Sequence, residues 1–157
     1  MNIEDTECIA NLFTILHDGS ISQASFVSGD LILEIQIQYL AERIDSSFKQ
    51  FLLCLSNIRE IQFSTWPKNP QTLPSEITDT ALVFRPQMTI LGGDTKGRAI
   101  QVICSVNGPE FDYCGGELYF QADSAKVTDE AGRPYSFSEL LSLSNAYWDE
   151  WSTKNGA

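Results

Sequence analysis

The 157-residue sequence predicts an α+β domain, mainly antiparallel sheet with a helix at each end. Three observations carry that prediction. Leu31, Leu33, Ile35, Ile37 and Tyr39 alternate with Ile32, Glu34, Gln36 and Gln38, the period of two of a strand with one dry face. Short apolar runs follow one another with only turn residues between them. Helical spacing occurs only near the two termini. Sequential strands without intervening helices imply antiparallel pairing. The expectation is about seven strands in a curved sheet or flattened barrel, with the last helix against one opening or face. Length suits one domain over residues 1–157, large enough to bury a core.

The elements follow in order. Ile9, Leu12, Phe13 and Leu16 make one apolar face of a short helix, capped by Asp5 or Thr6 and stopped near Gly19. Ser20 to Val27 and Asp30 to Leu40 read as a hairpin across Ser28-Gly29. Phe48 to Leu55 and Ile58 to Trp66 read as a second hairpin across Ser56-Asn57. Pro67 to Thr80, with three prolines, reads as a long surface loop. Leu82 to Leu91 follows as a strand, with Pro86 marking an edge or bulge and Gly92-Gly93-Asp94 as its turn. Strands are then expected at Arg98 to Val106 and, after Gly115-Gly116, from Glu117 to Ala122, continuing toward Val127. Ser136 and Glu139 form a capping box for a final helix, with Tyr135 placed to staple Leu140. Leu140, Leu141, Tyr147, Trp148 and Trp151 fall near one face of it.

Charge is the most distinctive property. The net charge is −11, and seven carboxylates precede the first base, Arg43: Glu4, Asp5, Glu7, Asp18, Asp30, Glu34 and Glu42. A second base-free stretch, Ala99 to Ala125, holds four more acids. Such a field repels phosphates and attracts basic partners. Ten scattered bases against 21 acids disfavour nucleic-acid binding. No apolar run reaches the roughly 20 residues of a membrane span, so no membrane partner is expected. The acidic N-terminus lacks the basic region of a secretory signal, which points to a cytoplasmic location.

Chemistry-bearing patterns are sparse. Cys8, Cys54, Cys104 and Cys114 form no C-x-x-C pair and no zinc spacing, and no calcium loop occurs, so no metal or cofactor is expected. Cys114, in an acidic Gly-rich stretch, is the thiol expected to meet solvent. Gly92 to Arg98 does not match a phosphate-binding P-loop. His17, the only histidine, adjoins Asp18. It suits either a hydrolase base with its acid or a turn in which Asp18 caps backbone N–H groups. The stretch Pro109 to Glu117 interleaves acids with aromatics. Asp18, Glu110, Phe111, Asp112, Tyr113 and Glu117 are the candidate binding residues, with the two rings as anchors and the carboxylates meeting a basic protein surface. The competing reading folds the rings under the sheet. An alternative function is a small-ligand binder with Tyr39, Trp66 and Tyr119 lining a cavity.

Three stretches carry a resemblance: Leu16-His17-Asp18-Gly19-Ser20-Ile21, Tyr39-Leu40-Ala41-Glu42-Arg43-Ile44 and Val127-Thr128-Asp129-Glu130-Ala131-Gly132. On these, the chain resembles small, uncharacterised cytoplasmic bacterial proteins. In size, acidity and α+β make-up it is also similar to immunity proteins of polymorphic bacterial toxins. The first likeness implies no activity. The second implies a non-enzymatic protein that masks a basic surface. Neither assigns a role to any residue, and the oligomeric state is left open.

Overall fold

The computed structural model describes residues 2–155. Four helices and ten strands occur among them: α1 (Thr6–Ile15), β1 (Ser20–Val27), β2 (Asp30–Gln36), α2 (Gln38–Ala41), β3 (Gln50–Ser56), β4 (Arg59–Pro67), β5 (Glu76–Ile77), α3 (Thr80–Val83), β6 (Met88–Lys96), β7 (Ala99–Val106), β8 (Tyr113–Gln121), β9 (Ser124–Thr128), β10 (Pro134–Tyr135) and α4 (Phe137–Lys154). The fold is α+β with one antiparallel sheet. Its order is β10-β9-β3-β2-β1-β6-β7-β8-β4-β5, with free ends at β10 and β5. It has ten strands where the sequence led us to expect about seven.

The β1–β2 hairpin turns at Ser28-Gly29 as expected, but β3 and β4 do not pair with each other. β3 lies between β2 and β9, and β4 between β8 and β5. The pairing Leu52↔Thr128 to Ser56↔Ser124 resumes in the same register at Arg59↔Gln121. The segments 50–67 and 113–128 are therefore two long bent strands that pair along most of their length. Asn57, at φ 52°, bends the chain where a hairpin would reverse it. Asp123 holds this corner: its carboxylate accepts from Asn57 Nδ2 at 2.8 Å and Arg59 at 3.0 Å, and its N–H donates to Ser56 O. Asp30 accepts from the Asn57 N–H, tying the tip of the first hairpin to the same place. The bend brings the two halves of the sheet round a shared interior.

Bulges set which side chains enter that interior. Register shifts fall after Ile21, after Arg59, after Trp66 and after Ile90. Each inserts a residue and reverses the alternation beyond it. At Leu91 the shift leaves Ile90 and Gly93 both facing inward. Gly92 and Gly93 therefore lie inside β6, and the turn comes later, at Gly97-Arg98. α1 packs on β6 and β7 and touches β9 and α4. Its Asp5 cap and buried Ile9, Leu12, Phe13 and Leu16 are as the spacing predicts. Phe13 meets Phe120 edge-on at 5.9 Å. Gly93 permits the close approach, because a Cβ there would lie 2.3 Å from Ala10 O and 2.8 Å from Phe13 Cβ.

Five further segments differ from expectation. β2 ends at Gln36, and Gln38–Ala41 forms a helical turn that buries Leu40 and Ala41. The 67–80 loop contains β5. Leu82 and Val83 belong to α3, capped by Asp79, so β6 starts only at Met88, beyond Pro86. β8 starts at Tyr113 and runs through Gly115-Gly116. In α4 the capping box forms, but Leu141 faces out and Ser144 takes its place on the buried face. Just before α4, Asp129 is buried and accepts from Tyr135 Oη at 2.7 Å and from the N–H groups of Ala131 and Arg133. Burial pushes its carboxyl up. The Tyr135 hydroxyl, the two N–H groups and the Arg133 charge outweigh burial and hold it below the usual aspartate range.

Two stability predictions follow from this packing. Gly93→Ala should lose about 1–3 kcal/mol in a urea titration, because the methyl group meets backbone. Gly92→Ala, whose Cβ would meet nothing within 4 Å, should change stability by less than about 0.5 kcal/mol. The Asp129 contribution is present above the ordinary aspartate pKa of about 3.9 and is lost as pH falls through the lower folded value. Asp129→Asn should cost about 1–3 kcal/mol at pH 7 and progressively less as the pH is lowered below about 4, measured by urea titration across pH.

Candidate binding face

The structure separates the candidate residues. In the 109–117 stretch Glu110 and Asp112 are exposed, whereas Phe111 and Tyr113 are each only 7% exposed. The rings pack on one another at 5.7 Å, Tyr113 on Phe63 at 6.0 Å, and the Arg85 guanidinium lies over Phe111. They are core residues, so the expectation of exposed aromatic anchors is corrected. The cause is the bulge at Cys114, opposite Trp66 and Pro67. Simple alternation would put Tyr113 on the outer face with Glu117 and Tyr119, and the extra residue turns it inward. Gly115 and Gly116 then take flat contacts: Trp66 covers the first on the outer face and Phe63 the second on the inner face.

Asp18 is elsewhere, in the α1–β1 turn at φ 70°, where its N–H donates to Ile90 O. Among the described residues no hydrogen bond or ion pair joins Asp18 or the other early carboxylates to the 110–117 loop. His17 ends α1. Its Nδ1 is 2.7 Å from Thr14 O, its Nε2 is 3.9 Å from Asp18, and its ring stacks on Trp148 at 5.2 Å. Tyr39 donates to His17 O and packs against Tyr147 and Trp148, and Arg43 pairs bidentately with Glu150. His17 thus forms part of the seat of α4. Burial, then the Asp18 and Tyr147 charges, push the Tyr39 phenol well above its ordinary range. Tyr39, Trp66 and Tyr119 lie on different elements, and the groove that Tyr119 lines includes neither of the other two. The interior they were expected to line is filled by buried residues such as Phe13, Phe51, Phe63 and Phe120. A separate groove of about 580 Å³ runs between α4 and the Arg133–Tyr135 segment.

Glu117 falls in a setting that the sequence did not reveal. Strand register lines up Asp94, Gln101, Tyr119 and Gln62 across β6, β7, β8 and β4, and beside them Ile103, Glu117, Ser64 and Glu76 across β7, β8, β4 and β5. These side chains share the outer face of that half of the sheet. A groove of about 380 Å³ runs through it, lined by Glu60, Gln62, Ser64, Glu76, Ala99, Tyr119 and Gln121, with no Lys or Arg. Its floor is ordered: Gln101, only 6% exposed, donates to Tyr119 Oη at 3.0 Å, and Tyr119 donates to Glu117 at 3.2 Å. Burial, the largest cause, and the Glu117 carboxylate keep the Tyr119 phenol above its ordinary range, although the Gln101 bond opposes them. Glu60 sits at φ 56° in the β4 bulge, a conformation uncommon for a residue with a Cβ. The signal available in the sequence was the alternation of Glu60, Gln62 and Ser64 with Glu117, Tyr119 and Gln121. Joining the two runs required the β4–β8 register.

Among the described residues no group of three His, Cys, Asp or Glu side chains is placed to hold a metal ion, and no helix is long and apolar enough to cross a membrane. The fold defines an α+β protein with a ten-stranded antiparallel sheet and an acidic outer groove. No family model matches the chain, and comparison with curated proteins and with solved structures gives no significant match.

Cys114 is exposed, Cys104 is buried with its thiol pushed up to about 12 by burial, and burial also leads the upward shifts at Cys8 and Cys54. A maleimide reagent at neutral pH should therefore label Cys114 at least about tenfold faster than the others. Mass spectrometry should find all four thiols labelled only after unfolding.

Proposed function

We propose that the protein is a non-enzymatic binding protein whose acidic outer groove receives a basic segment of a partner protein, as an immunity-type inhibitor would. The observation that carries this reading is the groove itself. Carboxylates of Glu60 and Glu76 line it, Glu117 borders it, amide and hydroxyl acceptors lie between them, and the bases nearest in register, Lys96 opposite Ala99 and Arg59 opposite Gln121, are not among its lining residues. Lysine and arginine side chains are the natural complement of such a surface. The net charge of −11 adds long-range steering toward a basic partner. The resemblance to toxin-immunity proteins, in size, acidity and α+β make-up, points the same way.

A Lys/Arg-rich peptide followed by fluorescence anisotropy tests the site. Wild type should bind it, and affinity should fall at least about tenfold between 0.05 and 0.5 M salt. Glu60→Gln/Glu76→Gln/Glu117→Gln should lose most of the binding. Glu4→Gln/Glu7→Gln/Glu42→Gln, with the same change in net charge, should lose little. Equal losses in the two triple variants would reduce the effect to overall charge and remove the groove from the account.

A further inference from the structure

The sheet's free edges are not protected alike. β10 and β5 are two residues long, and β10 begins with Pro134. β4 beyond β5 carries a bulge with Arg59 and Glu60. Short strands, proline, bulges and charge are the devices that keep edges from pairing. β1 lacks them over its outer half. It pairs with β6 only at Ser20 and Ile21, so among the described residues Gln23 to Val27 has β2 on one side and no strand on the other. This stretch holds no charge and no proline, and Phe26 and Val27 are 44% and 54% exposed. Ser28 and Gly29 both have positive φ, the two-residue turn that makes Val27–Asp30 the closing hydrogen-bonded pair. Alternation then directs the N–H and C=O groups of Ala24 and Phe26 away from β2.

We infer that this edge pairs with the same edge of a second copy of the chain, antiparallel about a two-fold axis at Ser25. In that register Ala24 of one copy faces Phe26 of the other, so the free groups of both residues bond in both directions. Opposed residues share a face, so each Phe26 ring covers the other copy's Ala24 methyl, next to the Phe84 ring that Phe26 already contacts at 6.4 Å. The Ser28-Gly29 tip of each copy points at the slot of about 220 Å³ between Ser22–Ala24 and Phe84–Gln87, and its two residues are small. Charge selects this occupant. The slot's only charged side chain is Arg85, so a basic segment finds no carboxylate here. An uncharged strip is also where two chains of −11 can approach with least local repulsion. Salt should therefore strengthen this contact, whereas it weakens binding in the acidic groove.

Site-directed cross-linking tests the register. In a Cys114→Ser background, Ser25→Cys places two thiols across a non-hydrogen-bonded pair with Cα atoms about 4.5 Å apart, within disulfide reach. Under mild oxidation it should form disulfide-linked dimer at least about tenfold faster than Gln23→Cys, which faces Val27 of the other copy. The rate should rise with salt. Adding Ala24→Pro should abolish cross-linking with little change in thermal unfolding, since that N–H points away from β2 and meets no other strand among the described residues. If that variant does not fold, Phe26→Lys serves the same purpose. Equal rates for the two cysteines, or a rate unmoved by Ala24→Pro or Phe26→Lys, would overturn the pairing.

Discussion

The structure depends on the pairing of segments 50–67 and 113–128, which continues across their shared bend. Each segment reads locally as two strands, yet the pairing carries through the corner at Asn57 and Asp123 without a slip. Main-chain hydrogen bonds alone would leave this ladder free to slide. The corner pins it, because Asn57, Arg59 and the Ser56 carbonyl all converge on Asp123. Everything else is placed by that ribbon. β2 and β1 extend from one half, β7 and β6 from the other, and the bend makes both halves face the same side. α1 can then bury its apolar stripe against β6 and β7 in the middle of the sheet order while touching β9 near one end of it.

Local structure was legible where it rests on local chemistry. The Asp5 cap, the Ser136–Glu139 capping box, the Ser28-Gly29 turn and the alternation in β2 are all set by residues within a few positions of one another. Pairing was not legible at Ser56-Asn57, because a polar dipeptide between two apolar runs marks a reversal and a bend equally well. What separates the two is Asp123, distant in sequence. Gly92-Gly93 misled for a related reason. A glycine pair signals a turn when its backbone must be free, but Gly93 is there to let a helix approach, and that need appears only once α1 is packed.

The bulges explain why the candidate site was only partly readable. Phe111 and Tyr113 flank carboxylates in a pattern that suits a surface anchor, and the inserted Cys114 decides their direction. One extra residue against the partner strand moves Tyr113 from the outer face to the core. A second bulge, at Glu60, lies at the margin of the outer groove and puts Arg59 opposite Gln121. A bulge leaves no composition signature of its own, since any residue can occupy it. Glu117, expected from the sequence as a binding residue of the 109–117 stretch, is a half-buried position on the outer face of β8. Its companions Glu60 and Glu76 come from β4 and β5, which only the register brings beside it.

The same geometry sorts the charge. Much of the acidity that dominates the sequence is already engaged in holding the fold. Asp5, Asp30, Asp79 and Asp129 accept from backbone N–H groups, Asp123 binds the corner, and Glu139 and Glu150 pair with Arg133 and Arg43. Those carboxylates have traded part of their hydration for bonds within the chain, so each offers less to a partner than its formal charge suggests. Glu60 and Glu76 accept no hydrogen bond from the chain among the described residues, and Glu117 accepts one from a neutral phenol. A basic side chain entering the groove would therefore displace water only, with no internal ion pair to break. Under the proposed function the net charge would set the range from which a basic partner is drawn, and Glu60, Glu76 and Glu117, none of them in an internal ion pair among the described residues, would set where it settles.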